Sequence, residues 1–188
     1  MKKLFIISIF LFLIIFVTHG LRGQNGEPLR VGTAAPIFSL YDQYDNEFKL
    51  ENSKGNVVIL LIGDRFAREK LANWGKAVGK EFGNRVKIVF IISMPYMPPF
   101  LRGWIKAKFK GEDNADNKKN DSVLIDWGGK IFEMYESVEK TANLILIDRQ
   151  GILTDIERGE IKPECKEKLF KSIELILDRQ EHLPDQDR

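Results

Sequence analysis

Cysteine is nearly absent from this chain, and the scarcity removes several function classes at once. Cys165 is the only one, so no internal disulfide is possible and two-cysteine redox chemistry within one molecule is excluded. A zinc site built from four thiolates goes with it. Histidine is almost as rare. His19 sits beside an N-terminal apolar segment and His182 in a polar C-terminal stretch, so the core holds no histidine to pair with a serine or cysteine nucleophile. A surplus of either charge is also missing. Without Lys2, Lys3 and Arg22 the basic residues fall from 29 to 26, against 27 acidic ones, and that balance predicts no binding to nucleic acid or to an anionic membrane.

The N-terminus carries an address. Lys2 and Lys3 precede the almost wholly apolar Leu4 to Val17, and Thr18-His19-Gly20 offers small residues for cleavage. This pattern predicts a secretory signal peptide over residues 1–23, cut after Gly20 or Gly23, and hence a periplasmic or secreted protein. The apolar run is short of the roughly 20 residues a bilayer span needs. Retention as an anchor is the alternative, and membrane contact is expected only through an uncleaved segment. Residues 24–180 then form one domain of the usual size, and 181–188 a flexible tail.

Val57 to Ile62 is the stretch around which the domain is organised. It is an unbroken, largely β-branched apolar run, which suits a strand covered on both faces. Gly63 breaks it, and a helix with Leu71, Trp74, Val78 and Phe82 on one stripe follows. Gly75 and Gly79 on another face predict a close approach to a sheet or helix, since each costs about 1 kcal/mol relative to alanine; Gly83 fits a C-terminal cap. Val86 to Ile92 is a second buried strand, which makes a βαβ unit.

Around that unit, turn chemistry at Asp45-Asn46 predicts a hairpin from Ile37–Leu40 and Phe48–Leu50. Pro99 starts a helix over Phe100 to Lys110. The polar 111–122 loop lacks the glycine and glutamate of a calcium-binding hand. Val123 to Ile125 is a short strand, Lys130 to Tyr135 a brief helix or strand, and Asn143–Asp148 with Ile152–Glu157 a second hairpin. Pro163 opens a last helix to about Arg179, with Cys165, Leu169, Ile173 and Ile176 in one register.

Several residues carry a family resemblance. Val31-Gly32, Ala35-Pro36, Phe38 and Leu40 are similar to the VGxxAPxFxL opening of the redoxin and peroxiredoxin (AhpC/TSA-like) group of the thioredoxin-like superfamily. Lys54-Gly55 before the central strand, Leu124-Ile125-Asp126 with Gly129-Lys130 and Tyr135, and Leu146-Ile147-Asp148-Arg149-Gln150-Gly151 resemble three further motifs of that group, in the same order. The resemblance implies an α/β thioredoxin-like fold: a four- to five-stranded mixed sheet flanked by helices, with an N-terminal β-hairpin extension. It also implies a cysteine at the first helix after the central strand and a cis-proline before the last hairpin. Here those places hold Asp64-Arg65-Phe66-Ala67 and Ala142. The chain is thus identified as a degenerate member lacking the active-site cysteines.

These readings give an exported domain without the thiol redox motif, acting by binding a protein or small molecule. The alternative is a thiol-dependent antioxidant or disulfide oxidoreductase using Cys165, whose place beside Leu169 and Ile173 and between Glu164 and Glu167 suits a small buried hydrophobe instead. Neither a cofactor nor a metal is expected. The candidate binding residues are Asp64, Arg65, Phe66, Thr141, Ala142 and Trp127. Asp64 is expected to cap the helix and Arg65 to pair with Glu69. The Met94–Phe100 loop, with Met, Tyr and Phe among prolines, either lines a recognition groove or tucks under the sheet edge, and apolar content favours the tuck.

Overall fold

The computed structural model describes residues 28–115 and 122–178. The expected signal peptide, residues 116–121 and the expected tail lie outside the described residues. Residues 111–115, expected as loop, instead continue the preceding helix, since no proline ends it after Lys110.

Seven strands and four α-helices are described. A hairpin of β1 (Ser39–Tyr41) and β2 (Glu47–Lys49) comes first, then β3 (Val57–Asp64), α1 (Arg68–Phe82), β4 (Val86–Ser93) and α2 (Arg102–Ala115). There follow β5 (Val123–Asp126), α3 (Lys130–Met134), β6 (Asn143–Ile147), β7 (Leu153–Arg158) and α4 (Pro163–Asp178). The main sheet has five strands in the order β5-β4-β3-β6-β7. β3, β4 and β5 are parallel, and β6 and β7 antiparallel to their neighbours. The expected mixed sheet with an N-terminal hairpin is therefore the observed one. Lys130–Met134 resolves as helix rather than strand.

β3 lies in the middle because its sequence leaves it no face for water. Val57, Ile59 and Leu61 point into a layer with Leu71, Trp74, Val78 and Phe82 of α1 and Leu169, Ile173 and Leu177 of α4. Val58, Leu60 and Ile62 point the other way, onto Val89, Ile91, Ile145, Ile147, Ile131 and Tyr135, with Phe38 and Leu50 of the hairpin region closing the layer. Alternation with period two thus feeds two cores from one strand, each fully buried aliphatic side chain contributing about 1.5–3 kcal/mol.

The helix glycines separate into distinct roles. A Cβ on Gly75 would stand 2.3 Å from the Phe90 ring of β4, so the helix rides down onto that ring only because no side chain intervenes. At Gly79 the nearest atom would be Ile88 Cδ1 at 3.9 Å, ordinary contact. Gly83 has φ 52° and ends α1, its N–H donating to the Gly79 carbonyl.

The hairpin is held as a separate two-stranded unit by polar side chains. Asp42 and Gln43 are buried. The Asp42 carboxylate accepts from the Tyr44 and Asn46 N–H groups, the Asn46 amide and the Ser122 hydroxyl. Gln43 Oε1 accepts the Val123 N–H at 2.8 Å, and Asp42 bridges to Leu124 of β5. Below, the Tyr135 hydroxyl donates to the Pro36 carbonyl at 2.6 Å, and burial pushes its phenol well above the ordinary value.

Among the described residues no helix is long and apolar enough to cross a membrane.

Candidate functional site

The parallel register brings the ends of β3, β4 and β5 to one edge of the molecule, where Asp64 stands opposite Ser93 and Ser93 opposite Asp126. The antiparallel pairing of Ile62 with Asn143 delivers the loop before β6 to the same edge. Strand ends of an open α/β sheet are where such folds tend to bind.

Gly63 makes the turn compact. A Cβ there would meet Ala67 Cβ at 2.8 Å and Leu71 Cδ1 at 2.9 Å, and would reach the Thr141 carbonyl at 3.4 Å. Asp64 follows, and its carboxylate is fully engaged. Oδ1 accepts the N–H of Phe66 at 2.8 Å and of Ala67 at 3.0 Å, and Oδ2 accepts the N–H of Lys140 at 2.7 Å. The expected cap is thus present in a different form. Ala67 is the residue flanking the helix, and Asp64 satisfies the turn that leads into it.

Asp64 also spans two segments far apart in sequence. Lys140, its partner across the gap, adopts φ 56°, unusual for a residue with a Cβ. Its carbonyl accepts from Lys70 Nζ at 3.2 Å, and Lys70 pairs with Glu160 at 3.2 Å.

Asn143 holds the loop from beneath. It is buried; its Nδ2 faces the carbonyls of Ile62, Val138 and Thr141 at 3.0–3.1 Å, and its Oδ1 accepts the Val138 N–H at 2.8 Å. Sequence reasoning missed both Asn143 and Lys140. The available signal for Asn143 was a lone amide opening an otherwise apolar strand, a position that needs partners once buried.

The remaining candidate residues fall around this frame. Arg65 does not pair with Glu69 as expected. Its guanidinium lies over the Phe66 ring at 4.6 Å, with Lys140 Nζ 6.0 Å from the same ring. Phe66 is exposed, so the pair of cations and the ring form a small basic-aromatic surface rather than a pocket wall. Ala142 is wholly buried and its carbonyl accepts the Gly159 N–H; Thr141 is half-buried. Every described peptide bond is trans.

Trp127 is not part of the group. It stands after β5, two strands from β3, with the Arg102 guanidinium 5.2 Å from its ring. Asp126 before it spends its carboxylate on the N–H groups of Lys130, Ile131 and Phe132. Cys165 is half-buried at the start of α4, packed against the layer between α1, α4 and the sheet.

The Met94–Phe100 loop departs from expectation. Met94 and Met97 are half-buried, but Tyr96 and Phe100 stand out in solvent. Pro95 and Tyr96 lie in a turn closed by the Met97 N–H on the Met94 carbonyl, and Pro99 opens a 3-10 turn, so both aromatic rings are carried past the sheet edge instead of under it. A cavity of about 140 Å³ lies at the opposite end of the sheet, between Val58, Ile147, Ala35 and Leu50 with Lys54 and Asp148 at its rim. Nothing in the sequence marked it. Among the described residues no His, Cys, Asp or Glu side chains gather in threes to hold a metal ion.

The chain has a thioredoxin-like fold. Solved structures similar to it include the exposed lipoprotein thioredoxin of Streptococcus pneumoniae, at 21% identity and TM-score 0.56, covering 74% of this chain and 99% of that one. The thiol peroxidase of Chromobacterium violaceum matches at 18% identity and TM-score 0.56, over 79% and 90% of the two chains. The thioredoxin domain of a thiol-disulfide oxidoreductase from Bacteroides vulgatus matches at 15% and 0.51, over 79% and 99%. No protein-family model matches the chain, and no curated protein does. At these identities the likeness is one of fold.

Proposed function

We propose that this is an exported, redoxin-like protein that has given up thiol chemistry and works as a binding or regulatory domain through the surface at the β3–α1 turn. One observation carries the reading. The Asp64 carboxylate takes the Phe66 and Ala67 N–H groups and the Lys140 N–H of the facing loop. A reactive thiolate at a helix N-terminus depends on such donors being free to stabilise its charge. Here a carboxylate uses them and ties the turn to the loop before β6. No sulfur lies in the Asp64–Ala67 turn, and Cys165 is packed against the apolar layer.

What the turn offers a partner is the exposed Phe66 ring with Arg65 and Lys140 beside it, a surface that favours an acidic or aromatic contact. Export is supported by the N-terminal apolar segment, and one structural neighbour is itself an exposed lipoprotein.

The test is enzymatic. Purified protein is expected neither to reduce insulin disulfides nor to consume peroxide, and Cys165→Ser is expected to behave like the parent in both assays. Either activity, lost in Cys165→Ser, would overturn the reading.

A further inference from the structure

The near-neutral total charge conceals a local excess. The nineteen residues from Ser93 to Gly111 contain Arg102, Lys106, Lys108 and Lys110 and no Asp or Glu. The same stretch carries the most exposed aromatic side chains of the described residues. Tyr96 is 95% exposed, Phe100 83% and Trp104 62%, with Leu101 beside them at 37%.

The placement is ordered. A 3-10 turn over Pro99–Leu101 runs straight into α2, so Phe100, Trp104 and Lys108 follow one another at spacings of four and share a face. Lys108 Nζ lies 5.8 Å from the Trp104 ring centroid. The other side of the helix is committed to the fold. Phe109 is buried in the α1 layer with Ile105 against it, Lys106 pairs with Asp45, and Lys110 lies over the Tyr44 ring. The outward aromatic face therefore serves no packing among the described residues.

We infer that the Tyr96–Lys108 face docks on an anionic lipid bilayer, the tips of Tyr96, Phe100 and Trp104 entering the headgroup layer with Lys108 at the level of the phosphates. Tyr and Trp, with one polar end and one apolar body, settle at that depth. Lysine beside them keeps its charge in the headgroup region while its stem lies along apolar atoms. Lys108 is the cation of this face that meets anionic headgroups, while Arg102, Lys106 and Lys110 are engaged with Trp127, Asp45 and Tyr44. The tips project outward rather than line a groove, so the shape fits a broad soft surface better than a bound peptide segment. The inference does not rest on the proposed loss of thiol chemistry.

Tryptophan fluorescence of the full chain tests it. The apolar segment at the N-terminus contains no tryptophan, so its own insertion does not contribute to the signal. Trp74 is buried and donates to the Gly159 carbonyl, which gives an internal check on folding. The Trp104 component is the difference between the parent and Trp104→Phe.

In phosphatidylglycerol vesicles this component is expected to shift to the blue and to be quenched by brominated acyl chains. Lys108→Glu is expected to cut the quenched fraction about fivefold, and phosphatidylcholine vesicles to give little quenching. The proposal is overturned if Trp104 stays unquenched in phosphatidylglycerol, or is quenched equally in phosphatidylcholine. A shift with protein concentration in the absence of lipid overturns it too, since a second copy of the chain would then cover the face.

Discussion

Two glycines on one helix, four residues apart, have opposite expected effects when changed to alanine. Gly79 faces open space up to Ile88 Cδ1 at 3.9 Å, so Gly79→Ala is expected to raise stability by about 1 kcal/mol through helix propensity alone. Gly75→Ala drives a methyl group to 2.3 Å from Phe90. The ring must swing away, and overpacking of this kind costs about 1–3 kcal/mol, more than the propensity gain. Pairing Gly75→Ala with Phe90→Leu should recover part of the loss, and urea melts of the single and double variants measure both. The spacing of the glycines was legible in the sequence. Which of them faces a ring was not, because that depends on the register of α1 against β4.

The same division holds at Asp64. Its occurrence after the central strand suggested a cap, but the acceptor role reaches the Lys140 N–H, 76 positions on. No local pattern encodes that partner. Arg65 likewise had two partners within reach, Glu69 along the helix and Phe66 beside it, and the turn geometry settles on the ring.

Among the elements, the hairpin depends on ionisation through Asp42. Burial works to raise the Asp42 pKa, but hydrogen bonds from Asn46, Ser122 and Tyr44 outweigh it and hold the carboxyl below its ordinary value of 3.8. A folded-state pKa lower than the unfolded one gives stability that is fully present above the ordinary value. That stability is lost as pH falls through the folded value. The parent is therefore expected to lose the docking of β1 and β2 on β5 below about pH 3.8. Asp42→Asn should cost about 1–2 kcal/mol at neutral pH and show a flatter acid limb, a difference that melting temperature against pH resolves.

The hairpin and the polar turn at Asp45-Asn46 were foreseen from turn chemistry. Its attachment through Asp42 and Gln43 was not, since neither residue differs in sequence from an exposed loop residue. The Met94–Phe100 loop shows the converse error. Apolar content pointed inward, and the proline-directed backbone carries Tyr96 and Phe100 outward.

At the scale of the whole molecule, stability should be graded outward from β3. Its residues from Val58 to Ile62 are buried on both faces and paired on both edges, so their amide protons are expected to exchange only through global unfolding. The three-residue strands of the hairpin, partly exposed and outside the main sheet, should exchange faster through local opening. Native-state hydrogen exchange would show the order directly, and equal protection in β1 and β3 would contradict it.

The sequence by itself determined the central strand, the βαβ unit, both hairpins and the last helix, because each is written in short-range periodicity and turn residues that act over a few positions. It also determined the want of a thiol pair, since composition alone excludes one. Tertiary structure alone decided how the Asp64 carboxylate bridges to the loop before β6, how Asn143 holds that loop, and where the aromatic tips of the β4–α2 segment stand. Those outcomes follow from which chain segments the sheet register places side by side, and register is a property of the packed whole.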